Sequence, residues 1–190
     1  AEMFAELRRI NPDVVAWVEV DNTNISYPVC RSEEDFTYLD TDVYGEYSVS
    51  GSIFMTHANK ADFSDNYLVL LGHHMQADAM FGPLDKFLDE AFFNENVTAR
   101  IYLPDRILEL ETVAMCEADA YDYLLFSAPS YNMKGLIKQI SKKALFERGA
   151  ALKKKEQLIA LATCSSGGTN ERHILMCRVI EEKAPATVGD

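Results

Sequence analysis

The chain has 190 residues, 48% of them hydrophobic and 25% charged, which is enough to bury a full core and is the composition of an ordinary globular protein. Its net charge of −12 argues against nucleic acid, because phosphate binding needs clustered Lys and Arg, and the one dense basic run, 153–155, is too short to reverse that. No apolar run reaches about 18 residues, so no stretch reads as a membrane-spanning helix. The start, AEMFAELRRINPD, has neither an initiator methionine nor an apolar leader, as expected of a trimmed chain.

In chain order, Met3, Phe4, Leu7 and Ile10 share one helical face, which predicts a helix over 2–10 ended by Asn11 and Pro12. A second short helix is predicted from Pro12 through Val14 and Val15. Strands are predicted over 17–20 and 25–29, around a turn at 21–24. Ser32, with Asp35 three positions on, predicts a capped short helix over 32–39. Strands over 51–56 and 67–71, a short helix over 84–88, and strands over 98–103 and 107–116 follow. Between 131 and 146, Met133, Leu136, Ile137, Ile140, Ala144 and Leu145 recur at helical spacing and predict an amphipathic helix, its apolar face read as core packing. The last strands are 158–163 and 173–180. Many short strands and few helices predict a mostly β, α+β chain built on a largely antiparallel sheet or barrel, and periodicity does not separate barrel from sandwich. One domain is expected, with a helical segment about 1–16, a body about 17–182 and a frayed tail 183–190.

The four cysteines are Cys30, Cys116, Cys164 and Cys177. No CxxC pair and no His-x3–5-His spacing occurs, so neither a structural metal nor a cofactor is expected. Cys116 and Cys177 sit in apolar strand contexts and read as buried inert thiols, and Cys30 reads as half-buried. Cys164 differs. In LIALATCSSGGTNERHILMCRV (158–179) it ends an apolar strand, precedes a small-residue loop, and is followed by an arginine on the next strand. A thiol with a fixed cation beside it suggests acyl transfer, the thiolate attacking a carbonyl and the cation holding the oxyanion. The missing base is sought among four histidines. His73 and His74 follow an apolar run in NYLVLLGHHM (66–75). His57 reads as a local packing or hydrogen-bonding residue, and His173 as pointing to the face opposite Arg172.

These segments, with NPDVVAWVEVDNTNISYPV (11–29), GSIFM (51–55) and MFGPLDKFLDEAFF (80–93), occur in the order found in sortases, and the chain is most similar to class B over nearly its whole length. The resemblance implies a closed sortase-type β-barrel of about eight strands, with N-terminal helices and one long helix before the nucleophile strand. It implies a cysteine transpeptidase that cleaves a sorting signal through a thioester and passes the acyl group to an amine, with Cys164 as nucleophile, His73 as acid/base and Arg172 as oxyanion stabiliser. Thr163, Ser165 and His74 are the supporting substrate or oxyanion residues. Where the family usually has Thr-Leu-x-Thr-Cys, this chain has Ala160 in the first place, and where it often has Gly-His-Asn, His74 stands third.

The implied partners are surface proteins or pilins bearing a C-terminal sorting signal, and an amine acceptor, either a peptidoglycan precursor or a pilin lysine. The implied location is the outer face of a Gram-positive cell membrane, through a membrane tether that this soluble stretch lacks. Two other classes stay open: a cysteine hydrolase with water as acceptor, and a non-catalytic surface binding domain. A metal site of His57, His73 and His74 is disfavoured, because adjacent strand residues face opposite ways. Arg172 could instead pair with Glu171 or Asp122, and Arg178 is a second arginine further along the same strand.

Overall fold

The computed structural model describes residues 2–127, 129–149, 151–164 and 169–185. Its sheet has nine strands: β1 (Val14–Val20), β2 (Ser26–Cys30), β3 (Ile53–Phe54), β4 (Tyr67–Gly72), β5 (Thr98–Tyr102), β6 (Ile107–Asp119), β7 (Ala144–Glu147), β8 (Leu158–Thr163) and β9 (Glu171–Lys183). The order β5-β1-β2-β3-β4-β8-β9-β6 closes on itself through a β5–β6 pairing. Eight strands therefore form a barrel without an open edge, and β7 adds to β6 outside the ring. The β2–β3 and β4–β8 pairs are parallel, and the other strand pairs are antiparallel.

Two apolar layers sandwich the wall. Alternate residues of the ring, among them Val18, Leu68, Leu70, Leu108, Leu161 and Leu175, meet inside the barrel with Phe81, Leu84 and Phe87. The other set, including Tyr67, Val69, Leu71, Ala160, Ala162 and Ile174, faces outward. It is covered by Phe4 of α1 (Glu2–Ile10), by Leu125, and by Leu136 and Ile140 from a long helix over Met133–Lys143. Because both faces are covered, every residue of β4 and β8 is buried. This is why YLVLLG and LIALAT are continuous apolar runs rather than alternating ones.

The structure corrects several predicted elements. Val14 and Val15 begin β1 rather than a second helix, since β-branched side chains suit a strand and Val14 finds a partner in Cys30. Over 32–39 only Thr37–Leu39 forms a 3-10 turn. There the Ser32 hydroxyl donates to the Glu34 carbonyl, and Asp35 accepts from the His57 N–H. Two short helices, α2 (Glu90–Glu95) and α3 (Tyr123–Phe126), were not predicted; each is capped by the aspartate before it, Asp89 and Asp122. The helix predicted over 131–146 is α4 (Met133–Lys143), and the rest becomes β7, where Phe146 turns inward onto Phe93, their ring centroids 5.9 Å apart. The predicted helix at 84–88 is a 3-10 helix over Gly82–Leu88. Of the tail, Lys183 still belongs to β9, and 186–190 lie outside the described residues.

Candidate active site

The register of three adjacent strands builds the site. The parallel β4–β8 ladder runs from Tyr67↔Leu158 to Gly72↔Thr163, so His73 and Cys164 are the next residues on their two chains. The Cys164 N–H donates to the Gly72 carbonyl at 3.0 Å, continuing that pairing past the strand end. The antiparallel β8–β9 ladder reaches Ala162↔Ile174, and the next outward-facing pair in that register is Cys164 with Arg172. Strand alternation sets the faces. Tyr67, Val69 and Leu71 face the outer layer, and so does position 73. Ala160 and Ala162 do the same for 164, and Met176 and Ile174 for 172. By this register His73, Cys164 and Arg172 fall on the outer face at the same end of β4, β8 and β9.

Cys164 and Arg172 open into a cavity of about 240 Å³, lined also by Thr163, Val69, Leu71, Phe36 and Phe126. The lining is mostly apolar with a few polar groups, the usual make-up of a ligand pocket. Phe36 stands in the left-handed region at φ 66° and sets its ring edge-on to Phe54, centroids 6.4 Å apart. A bulky residue held in that conformation away from the core marks a position fixed by its surroundings.

The His73 ring is half-buried, and its Nε2 lies 2.5 Å from the Leu39 carbonyl. A carbonyl only accepts, so Nε2 carries the proton in this contact. The loop bearing Leu39 passes so close to Gly51 that a Cβ there would stand 2.5 Å from the Leu39 oxygen, and Gly51 itself has φ +57°. Only glycine meets both demands, which explains the first residue of the GSIFM segment.

All four cysteines are free thiols; Cys30, Cys116 and Cys177 are buried, and burial pushes each to about 12. Cys164 is partly exposed. Burial raises its thiol from 9.0 to about 11, while its own backbone N–H and the Arg172 guanidinium pull the other way. At neutral pH the resting sulfur therefore carries its proton.

Arg172 is steadied by its own loop, with Nη1 donating to the Thr169 and Glu171 carbonyls at 2.8 and 2.9 Å. Thr163 faces β9 and accepts the His173 N–H at 3.1 Å, while its residue also borders the cavity. His74 lies on the inner face, Nε2 2.6 Å from Asp85, away from the cysteine cavity. Ser165 lies outside the described residues. His57 pairs with Asp35 at 2.9 Å, and Arg178 is held by Glu111 and Glu156 beside the other end of β8. The cavity wall of Phe36, Phe126, Val69 and Leu71 was not read from the sequence. Val69 and Leu71 carried a signal in their parity with His73, whereas Phe36 stands in an irregular loop that gave none.

A scan of the sequence against models of protein families gives no match. Among curated proteins, sortase B of Listeria monocytogenes is 26% identical over 163 residues, covering 85% of this chain and 66% of that protein. Sortase B of Staphylococcus aureus is 23% identical over 195 residues, covering 94% of this chain and 75% of that one. Among solved structures, a class B sortase of Streptococcus pyogenes involved in pilus biogenesis is 34% identical with a TM-score of 0.86, over 93% of this chain and 97% of that chain. Clostridium perfringens sortase B is 30% identical with a TM-score of 0.85, over 94% and 100%. The closed barrel therefore has its counterparts among the sortases, a family of enzymes of the Gram-positive cell surface. Within that family, the chain belongs to class B. Among the described residues, no helix is long and apolar enough to cross a membrane.

Proposed function

We propose that the chain is a sortase-type cysteine transpeptidase whose nucleophile is Cys164, with His73 as acid and base and Arg172 as oxyanion stabiliser. The observation that carries this reading is the register that puts the three residues on one face at the same end of adjacent strands, with Cys164 and Arg172 lining an apolar cavity.

The proton of Cys164 passes to His73, giving thiolate and imidazolium. The thiolate attacks the scissile carbonyl carbon, and the oxyanion is held by the Arg172 guanidinium, which stays charged and presents a planar fork of donors. The tetrahedral adduct collapses, the C–N bond breaks, and the leaving amine takes the proton from His73. The acyl group is then a thioester on Cys164. An incoming amine attacks that carbonyl, gives its proton to His73, and expels the thiolate, which recovers the proton from His73. A thiol raised to about 11 fits this sequence: the sulfur is quiet until a substrate fills the cavity.

The donors in this reading are surface proteins or pilins with a C-terminal sorting signal, and the acceptor is a peptidoglycan amine or a pilin lysine. Likeness to a sortase involved in pilus biogenesis supports trying the lysine first, and an acidic chain suits a cationic acceptor. The site of action would be the outer face of a Gram-positive membrane.

The test is to incubate the protein with sorting-signal peptides, with and without an acetyl-lysine amide or a glycyl peptide, and to identify products by mass. An amine-linked peptide supports transpeptidation, whereas free acid alone in the presence of amine would make the protein a hydrolase.

A further inference from the structure

Each of the three site residues has a neighbour one position away that strand alternation turns to the inner face: His74 after His73, Thr163 before Cys164 and His173 after Arg172. Hydrogen bonds join these neighbours behind the site. The His173 N–H donates to Thr163 Oγ1 at 3.1 Å. His74 Nε2 lies 2.6 Å from one oxygen of Asp85, and His173 Nδ1 lies 2.9 Å from the other. A carboxylate only accepts, so both rings present an N–H to it. Glu117 and Glu171 stand 3.6 and 3.7 Å from His173 Nε2, beyond hydrogen-bond reach, so the hydrogen bond that orients this ring is the one to Asp85.

Asp85 sits on an anchored base. It belongs to the 3-10 helix Gly82–Leu88 and lies between Leu84 and Phe87, both fully buried in the barrel interior. The Phe81 N–H at the head of that helix donates to the His73 carbonyl at 2.9 Å. Gly82 packs so closely on the Met75 carbonyl that a Cβ has no room there. β4 and β9 lie on either side of β8 and do not pair with each other. Asp85 therefore spans the nucleophile strand and ties the segment after β4 to the start of β9, the kind of support that holds site residues in place from behind.

We infer that Asp85 is a positioning residue for acyl transfer: by bridging His74 and His173 it fixes His73 and Arg172 relative to each other on the two sides of Cys164. The inference rests on the roles proposed above for His73 and Arg172. Asp85 does not line the cysteine cavity, so its effect falls on the chemical step and not on substrate affinity. A displacement of about 1 Å in a reacting group is enough to cost about 100-fold in rate. His74 thereby acts from the inner face, as one end of the bridge.

The test compares the whole chain with Asp85→Ala, Asp85→Asn, His73→Ala and Arg172→Ala at pH 8. It reads kcat and KM for a sorting-signal peptide with an added amine, Tm, and the rate at which iodoacetamide alkylates Cys164. In Asp85→Ala kcat is expected to fall about 10–100-fold while KM stays within about twofold. Tm is expected to hold, because Asp85 is partly exposed and its ion pairs contribute little to folding. Asp85→Asn is expected to regain most of kcat, since the amide accepts from one ring and donates to the lone pair of the other in its neutral form. Alkylation needs no substrate, and it slows in Asp85→Ala as in Arg172→Ala, because the guanidinium that lowers the Cys164 pKa is displaced. A kcat in Asp85→Ala within about twofold of wild type, a kcat lost only in proportion to the folded fraction, or a kcat in Asp85→Asn as low as in Asp85→Ala overturns the inference alone when His73→Ala and Arg172→Ala lose turnover. Wild-type turnover in His73→Ala and Arg172→Ala overturns the site reading and the inference with it. Where no peptide turns over, alkylation decides: an unchanged rate in Asp85→Ala beside a slowed one in Arg172→Ala overturns the inference.

Discussion

The backbone N–H of Cys164 donates to the carbonyl of Gly72 at 3.0 Å. The residue that bears the sulfur is thereby tied to the residue just before His73, and the parallel register of β4 and β8 extends one step past the strands' ends. In this arrangement the chemistry depends on main-chain geometry as much as on the side chains.

Gly72 has no room for a methyl group. A Cβ there would stand 2.4 Å from Ile53 Cδ1 and 2.9 Å from Phe81 Cδ2, both of them buried side chains. Gly72→Ala should cost about 1–3 kcal/mol by overpacking, and it should shift His73 relative to Cys164. Urea denaturation reads the first effect. Peptide turnover, falling further than the folded fraction does, reads the second.

Alkylation of Cys164 by iodoacetamide should climb with pH. The thiol ionises near 11, so at pH 7 to 10 the thiolate is a minority that grows about tenfold per pH unit, and the rate should level off above about 11. The three buried cysteines should remain unlabelled in the folded protein. A rate already at its plateau at pH 8 would contradict the burial argument.

The same shifts predict a loss of stability in alkali. Each folded thiol holds its proton more tightly than the ordinary value of 9.0, so the unfolded chain ionises first as pH rises. The contribution is fully present below about 9 and disappears toward 11–12, with a slope near 1.4 kcal/mol per pH unit for each proton so retained. Denaturation midpoints at pH 7, 8 and 10 should be close for the first two and lower for the third.

In the proposed mechanism Arg172 acts on the sulfur and on the oxyanion together. Arg172→Ala should lower kcat/KM by about 100–1,000-fold, the range for loss of an oxyanion donor. It should also slow alkylation at pH 8, because the cation that lowers the Cys164 pKa is gone. Arg172→Lys should restore the alkylation rate more fully than turnover, since an ammonium supplies charge without the planar fork. Equal recovery of both would mean that charge alone matters.

The sequence made the candidate site residues visible and left their neighbourhood hidden. Cys164 and Arg172 lie on successive strands, so one hairpin-like segment of sequence contained both. His73 comes from a distant segment, and only the parallel β4–β8 pairing brings it alongside. No periodicity reports that pairing, because YLVLLG and LIALAT are buried on both faces. Val14 and Val15 were misread because a Pro-led helix start was weighed above β-branching, and tertiary pairing with β2 decided the matter. The run 131–146 changes from helix to strand at Ala144, where the apolar spacing of the helix continues and conceals the break.

Phe36 should govern substrate affinity. Its ring lines the cavity from a loop and is more than half exposed, so Phe36→Ala should leave stability nearly unchanged. KM for a sorting-signal peptide should rise about tenfold, the equivalent of losing part of an aromatic contact. The iodoacetamide rate of Cys164 should stay the same, which separates substrate binding from nucleophile reactivity.

The most direct test of the central claim is intact-mass spectrometry of the protein mixed with a sorting-signal peptide and no added amine, followed by peptide mapping. The account predicts an acyl adduct mapped to Cys164, absent in Cys164→Ala, that disappears when an amine is added while the amine-linked peptide accumulates. An adduct on another residue, or amine-linked product formed by Cys164→Ala at the wild-type rate, would contradict it.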